Sequence, residues 1–219
     1  MAVLGVGLIG GSIGLAARAR GQAQVTGWDP GWGADPDARE AALRLGAIDV
    51  AASDVAGAVE DAQIVFVAAP VGALAETIRA ALEAAGPETV VTDVGSTKRV
   101  VAEAISDPRF VAGHPLAGGE LAGVEHARED LFERSTWFLC AARGSPAGGQ
   151  AVEEPRQPVD QLRRPLDRLS QGSLRELIAS FGATPVEIEP DAHDRLMATV
   201  SQLPHVLANL LVGLAVAAL

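Results

Sequence analysis

Met1-Ala-Val-Leu-Gly5-Val-Gly7-Leu8-Ile9-Gly10-Gly-Ser12-Ile-Gly14-Leu-Ala16 is the stretch that decides the fold. A short apolar run, Ala2 to Leu4, breaks into a glycine-rich turn. Ile13, Leu15, Ala16 and Ala17 then continue at helical spacing. Strand, turn and helix in that order are what the dinucleotide-binding fingerprint G-x-G-x-x-G requires. Gly5 allows the tight turn, Gly7 lets a pyrophosphate approach the backbone, and Gly10 lets the helix pack closely on the strand. Leu8 and Ile9 fill the two positions between the glycines and open the helix, whose N-terminal N–H groups suit phosphate oxygens.

The flanking sequence supports this reading. Ala23 to Asp29 is a second strand ending in an acidic residue, and Asp29 lies 19 positions after Gly10. That is close to the ~20 expected for the carboxylate that bonds an adenosine ribose. A carboxylate there favours NAD, because a 2′-phosphate would meet like charge; Arg39 keeps NADP open as a second cofactor. A helix over 35–46, a continuous apolar strand Ala62 to Ala69 ending at Pro70, a helix Val71 to Ala85 and a strand Thr89 to Asp93 follow. A helix to about Ile105, short strands at Phe110–Gly113 and Thr136–Cys140, a helix Leu174 to Phe181 and a strand Thr184 to Ile188 complete the pattern. Alternation of this kind predicts an α/β, doubly wound, Rossmann-type parallel sheet. Gly7, Asp29, Pro70, Ser96 and His114 each follow a predicted strand, so all are expected at one crevice beyond the strands' carboxyl ends.

The chain divides near residue 189. Residues 1–189 are read as the dinucleotide-binding domain, with 143–172, rich in Pro, Gly, Gln, Arg and Glu, as an exposed insertion. Residues 190–219 are read as the start of an all-helical substrate and dimerisation domain. Between Val206 and Leu219 only Asn209 is polar, so both helix faces call for burial. The expectation is a homodimer through these helices and a chain that stops inside the helical domain. The stretch is shorter than the ~18 residues of a membrane span.

Bulk properties exclude several classes. With 219 residues, 48% of them hydrophobic, and a mean hydropathy of +0.22, the chain can bury a sizeable core. A net charge of −11 argues against a general nucleic-acid binder, which needs a basic face. The single cysteine, Cys140, excludes an internal disulfide framework and is compatible with a reducing cytoplasm. No metal site is expected. Of 17 basic residues Lys98 is the only lysine, which hints at a specific contact for a compact ammonium. His114 stands in the glycine-rich loop Gly113-His-Pro-Leu-Ala-Gly-Gly119-Glu120, and imidazole is the side chain best poised for proton transfer near neutral pH.

Four motifs, taken together and in this order, resemble the prephenate/arogenate dehydrogenase family of tyrosine biosynthesis. They are Gly5-x-Gly7-Leu-Ile-Gly10-Gly-Ser12, Thr92-Asp-Val-Gly-Ser-Thr-Lys98, Gly113-His-Pro-Leu-Ala-Gly118, and His193-Asp194 with Ser201-Gln-Leu-Pro-His205. The resemblance spans nearly the whole chain outside 143–172. It implies NAD-dependent oxidative decarboxylation of prephenate to 4-hydroxyphenylpyruvate, or of arogenate to tyrosine. By this likeness His114 draws the proton from the C4 hydroxyl, and Ser96 holds that hydroxyl or His114 in register. His205, Gln202, Glu120 and Lys98 face the substrate. His193 and Asp194 match a pair near the family's domain junction, open to a helix-start role or a direct contact. Gln202 departs from the family's usual histidine, and no position here matches the family's downstream carboxylate-clamping arginine. Two alternatives stand beside this reading. One is a β-hydroxyacid or imine-type dehydrogenase, which calls for a lysine after Lys98 that the chain lacks. The other is a non-catalytic NAD-binding module.

Overall fold

β-Branched and aromatic residues form short strands here that are buried on both faces, and small or aliphatic residues at helical spacing form the layers covering them. The computed structural model describes residues 1–21, 24–140 and 171–217. The elements run β1 (Ala2–Leu4), α1 (Leu8–Ala19), β2 (Thr26–Trp28), α2 (Pro36–Leu45), β3 (Val50–Ala51), α3 (Val55–Val59), β4 (Ile64–Val67), α4 (Val71–Ala84) and β5 (Val90–Asp93). They continue with α5 (Arg99–Ala104), β6 (Phe110–Pro115), β7 (Thr136–Cys140), α6 (Gln171–Ser180), β8 (Thr184–Glu187), α7 (Pro190–Met197) and α8 (Leu203–Ala217), with a π-helical turn, Ala198–Gln202, between the last two helices.

One sheet carries the strands in the order β3-β2-β1-β4-β5-β6-β7-β8. β1 lies between β2 and β4, so the winding reverses there and a crevice opens beyond Leu4 and Val67. Side chains alternate between two cores. Val3, Ile64 and Phe66 join α1 and α2 with Phe132, Trp137 and Phe181 on one face. Ala2, Leu4, Val65 and Val67 join Leu74, Ile78 and Ala81 of α4 on the other. The i, i+4, i+7 spacing of those three buries one stripe of α4. Local signals set the ends of α2. Asp35 caps its start by accepting from Ala38 N–H, and Gly46, at φ +75°, ends it in the left-handed region.

Three features depart from the sequence reading. β6 and β7 pair antiparallel and β8 runs parallel to β7, so the sheet is parallel only from β3 through β6. The reason is the connection. The segment between β6 and β7 holds a 3-10 turn (Val124–His126) but no crossover helix, so the chain returns beside the strand it left. Because β7 pairs along its whole length, β6 extends through Pro115 and His114 sits within the strand, opposite Phe138, not after it. β3 and α3 were not anticipated. β3 is only two residues long, and α3 rests on Asp54 accepting from Gly57 N–H. The predicted insertion at 143–172 lies outside the described residues except for its last two positions, which begin α6. No helix of the described residues is long and apolar enough to cross a membrane.

Candidate active site

The glycine turn is held from three sides. Gly5, at φ +94°, passes so close to β4 that an added Cβ would lie 2.5 Å from the Ala68 carbonyl oxygen. At Gly10 an added Cβ would lie 1.9 Å from the Gly5 carbonyl oxygen, so only glycine lets α1 start this close to β1. Asp29, just past β2, accepts from Val6 N–H at 2.9 Å and from Gly31 N–H at 2.7 Å, fastening turn to strand. Gly7 behaves differently. Nothing lies within 4 Å of where its Cβ would be, and no side chain caps the α1 end it begins. This space suits a dinucleotide, because a pyrophosphate needs bare backbone and open donors at that point. Gly7, Leu8, Ile9 and Gly10 line a cavity of about 340 Å³ with Ala68 and the 119–123 loop. Pro70 is the N-cap of α4, two residues on from Ala68.

Ser12 secures the loop that walls this cavity. Its hydroxyl donates to the Leu8 carbonyl at 2.7 Å and accepts from Arg128 N–H at 2.9 Å.

A second cavity, of about 490 Å³, is lined by Ser96, His114, Gly118, Met197, Ser201 and Gln202, among others. Ser96, His114 and Gln202 are therefore brought together as expected. The loop after β6 borders both spaces, Gly118 at the His114 cavity and Gly119 to Gly123 at the glycine turn.

Behind His114 runs a relay that the sequence left open. His114 Nδ1 is 2.9 Å from His193 Nε2, and His193 Nδ1 is 2.8 Å from Asp194 Oδ1. Asp194 in turn accepts from Lys98 N–H at 2.8 Å and Arg99 N–H at 3.0 Å. Burial pushes the Asp194 carboxyl up, but these bonds together outweigh it and hold the group below its ordinary range. An ionised carboxylate only accepts, so it takes the Nδ1 proton of His193 and leaves His193 Nε2 as a lone pair. That lone pair takes the Nδ1 proton of His114, so His114 Nε2 is the unprotonated nitrogen of a ring that lines the cavity. Burial, then the neighbouring His193, then the Lys98 ammonium lower His114 to about 4, against the pull of Asp194. His193 is lowered too, by burial first, with Asp194 opposing. The His114 ring is neutral at physiological pH, and a proton gained there would be stabilised by a carboxylate one ring away, the logic of an acid–histidine relay.

Two expectations change. Lys98 lines neither cavity. Its side chain is wholly buried, ion-paired with Asp93 and donating to the Gly113 carbonyl at 2.6 Å. Glu120 lines the cavity at the glycine turn and not the one with His114, because the loop crosses from one to the other at Gly118 and Gly119. His205 lies on α8, with its side chain outside the described residues. Met197 lines the His114 cavity and was not anticipated, and Ser201 was quoted in a motif but given no role. Their π-helical surroundings carry no local sequence signature, although such turns recur at functional sites. Among the described residues no group of three or more His, Cys, Asp or Glu side chains is arranged to hold a metal.

The family described as prephenate dehydrogenase, nucleotide-binding domain, matches residues 13–154. The chain belongs to the prephenate dehydrogenase family. It is 34% identical to a prephenate dehydrogenase of Bacillus subtilis (strain 168) over 218 residues, covering 95% of this chain and 51% of that protein. It therefore spans about half the length of the curated relatives it matches most strongly. Among solved structures, the prephenate dehydrogenase from Aquifex aeolicus in complex with hydroxyphenyl propionate and NAD+ superposes with a TM-score of 0.76 at 26% identity, over 97% of this chain and 67% of that one. A Synechocystis arogenate dehydrogenase gives the same TM-score, identity and coverage.

Proposed function

We propose that this chain carries the cofactor half and the catalytic base of an NAD-dependent dehydrogenase for prephenate or arogenate. The observation that supports it most is the relay. Asp194 and His193 present His114, with its Nε2 unprotonated, to a cavity bordered by the same loop as the glycine-turn cavity. Gly7 to Gly10 would hold the pyrophosphate of the dinucleotide, and Asp29 its adenosine ribose, where the carboxylate charge would disfavour a 2′-phosphate. A bound NAD would supply the acceptor for the hydride that leaves C4 of the substrate ring. The chain's own residues do the rest. Ser96 holds the C4 hydroxyl, His114 Nε2 accepts its proton, and His193 with Asp194 stabilises the imidazolium that results. The bond to the ring carboxylate breaks as carbon dioxide leaves, and its electron pair completes the aromatic ring. Gln202, and His205 from α8, contact the rest of the substrate.

The 219-residue chain, assayed with both substrates and both nicotinamide cofactors, tests the reading. Turnover with NAD that vanishes in His114→Ala, while NAD affinity stays, supports it. Turnover that survives in His114→Ala refutes it.

A homodimer through the helices that begin at α8 belongs to the same proposal. Leu203, Val206, Leu207, Leu210, Leu211 and Val212 are each at least half exposed in the single chain, more apolar surface than a lone helix ordinarily leaves to water. Sedimentation velocity at micromolar concentration tests it. The lone, buried Cys140 suits a reducing cytoplasmic setting.

A further inference from the structure

Asp93 and Lys98 are both fully buried, and neither touches the two cavities. A buried ion pair is costly unless each of its polar atoms is satisfied. Here the partners converge on one residue, Gly113. Gly113 donates its N–H to Asp93 Oδ1 at 3.0 Å and accepts at its carbonyl from Lys98 Nζ at 2.6 Å. Asp93 Oδ2 takes the Lys98 ammonium and Gly95 N–H.

The place is telling. The β5–β6 register runs Val91↔Phe110 and Thr92↔Val111 and stops there. One step further along, the ion pair takes over from the ladder and clamps the peptide immediately before His114. The backbone of Lys98 meanwhile donates to Asp194, at the far end of the relay. One residue thus bonds the carboxylate of the Asp194–His193–His114 chain through its main chain and, through its side chain, the carbonyl of the residue just before His114.

We propose that Lys98, together with Asp93, is the positioning residue of this site, holding the His114 ring in register with His193 and with the cavity. The proposal rests on the reading of His114 as the base. It also accounts for the one lysine among 17 basic residues. A compact ammonium suits the place, because a single Nζ meets both Asp93 Oδ2 and the Gly113 carbonyl. The charge contributes as well. The titratable groups around His114 are Lys98 and Asp93 from the β5–α5 segment and His193 and Asp194 from α7. Of these, Lys98 and His193 oppose protonation of His114, and Asp194 favours it.

The test is imidazole NMR of the 219-residue chain in which His114 is titrated in wild type, Lys98→Met and the charge-free Asp93→Asn/Lys98→Met, with kinetics alongside. Lys98→Met is expected to raise the His114 midpoint by about one pH unit or more. It is also expected to cut kcat roughly 10- to 100-fold with KM for NAD unchanged, and Lys98→Arg to restore only part of the loss. The double variant removes the stranded carboxylate, so it keeps the test valid if Lys98→Met fails to fold. A kcat that stays at the wild-type value in folded Lys98→Met or in the folded double variant overturns the proposal. A midpoint that moves in a protein turning over neither prephenate nor arogenate supports the positioning role and refutes the substrate assignment.

Discussion

His114 and His193, 79 positions apart in the chain, share a hydrogen bond of 2.9 Å between Nδ1 and Nε2, with the rings nearly perpendicular at 76°. One ring can present a lone pair to the cavity only because the other is fixed in its tautomer by Asp194. Asp194→Asn is expected to fix the opposite tautomer, since an amide can donate to His193 Nδ1. Loss of kcat on the order of 10²-fold or more, with NAD affinity intact, is the expected outcome. Steady-state kinetics beside a calorimetric NAD titration measure both, and an unchanged kcat removes the relay from the mechanism.

The low midpoint of His114 sets two pH dependences. Its folded value of about 4 lies below the ordinary 6.5, so between those values the unfolded chain binds more protons than the native one. Stability from this group is complete above 6.5 and is lost as pH falls toward 4. The base stays competent over the same range, so kcat/KM is expected to show no acid limb from His114 until pH nears 4. A limb centred near 6.5 contradicts the burial and charge argument. Denaturant melts from pH 7 to 4.5 should show a shallower decline in His114→Gln than in wild type.

The glycines of the opening turn should separate fold from binding. Gly10→Ala places a methyl group against the Gly5 carbonyl oxygen, with no flexible side chain there to yield. A loss of roughly 2–4 kcal/mol of stability is expected. Gly7→Ala meets nothing in the protein. It should melt within about 1 kcal/mol of wild type, yet bind NAD at least tenfold more weakly. Equal behaviour of the two variants refutes this division.

The parts of the fold that could be read from sequence are those where one local signal suffices. Gly5, Gly7 and Gly10 placed a turn between a strand and a helix, and the apolar run at 62–69 marked β4, because a doubly covered strand needs no polar partner. Ser96, His114 and Gln202 were found because each stands in a motif, and they share a cavity. What stayed hidden depends on pairing across distance. The reversal at β7 is set by how the 116–135 segment returns, and neither strand's composition records it. Lys98 was noticed for its rarity but assigned to the substrate, because nothing local shows that Asp93 and the Gly113 peptide close over it. The same applies to His193, whose role exists only opposite His114.

Asp29 offers a test of cofactor choice that is separate from chemistry. Its two oxygens already hold Val6 and Gly31 N–H groups, so Asp29→Ser should lose about 1–2 kcal/mol of stability. It should also move the ratio of NAD to NADP affinity toward NADP, read by fluorescence titration of both cofactors. A ratio that does not move places the ribose elsewhere.

The backward run of β7 and β8 bears on the order in which the molecule can be completed. The contacts that shape the glycine turn close between Gly5 and Ala68, within the first third of the chain. The base reaches its partners only after β8 has docked and α7 has turned back over the sheet, joining residue 98 to 194 and 114 to 193. Such distant closures carry the larger entropic barrier. A growing polypeptide would therefore acquire the means to hold a nucleotide well before it acquires the means to remove a proton.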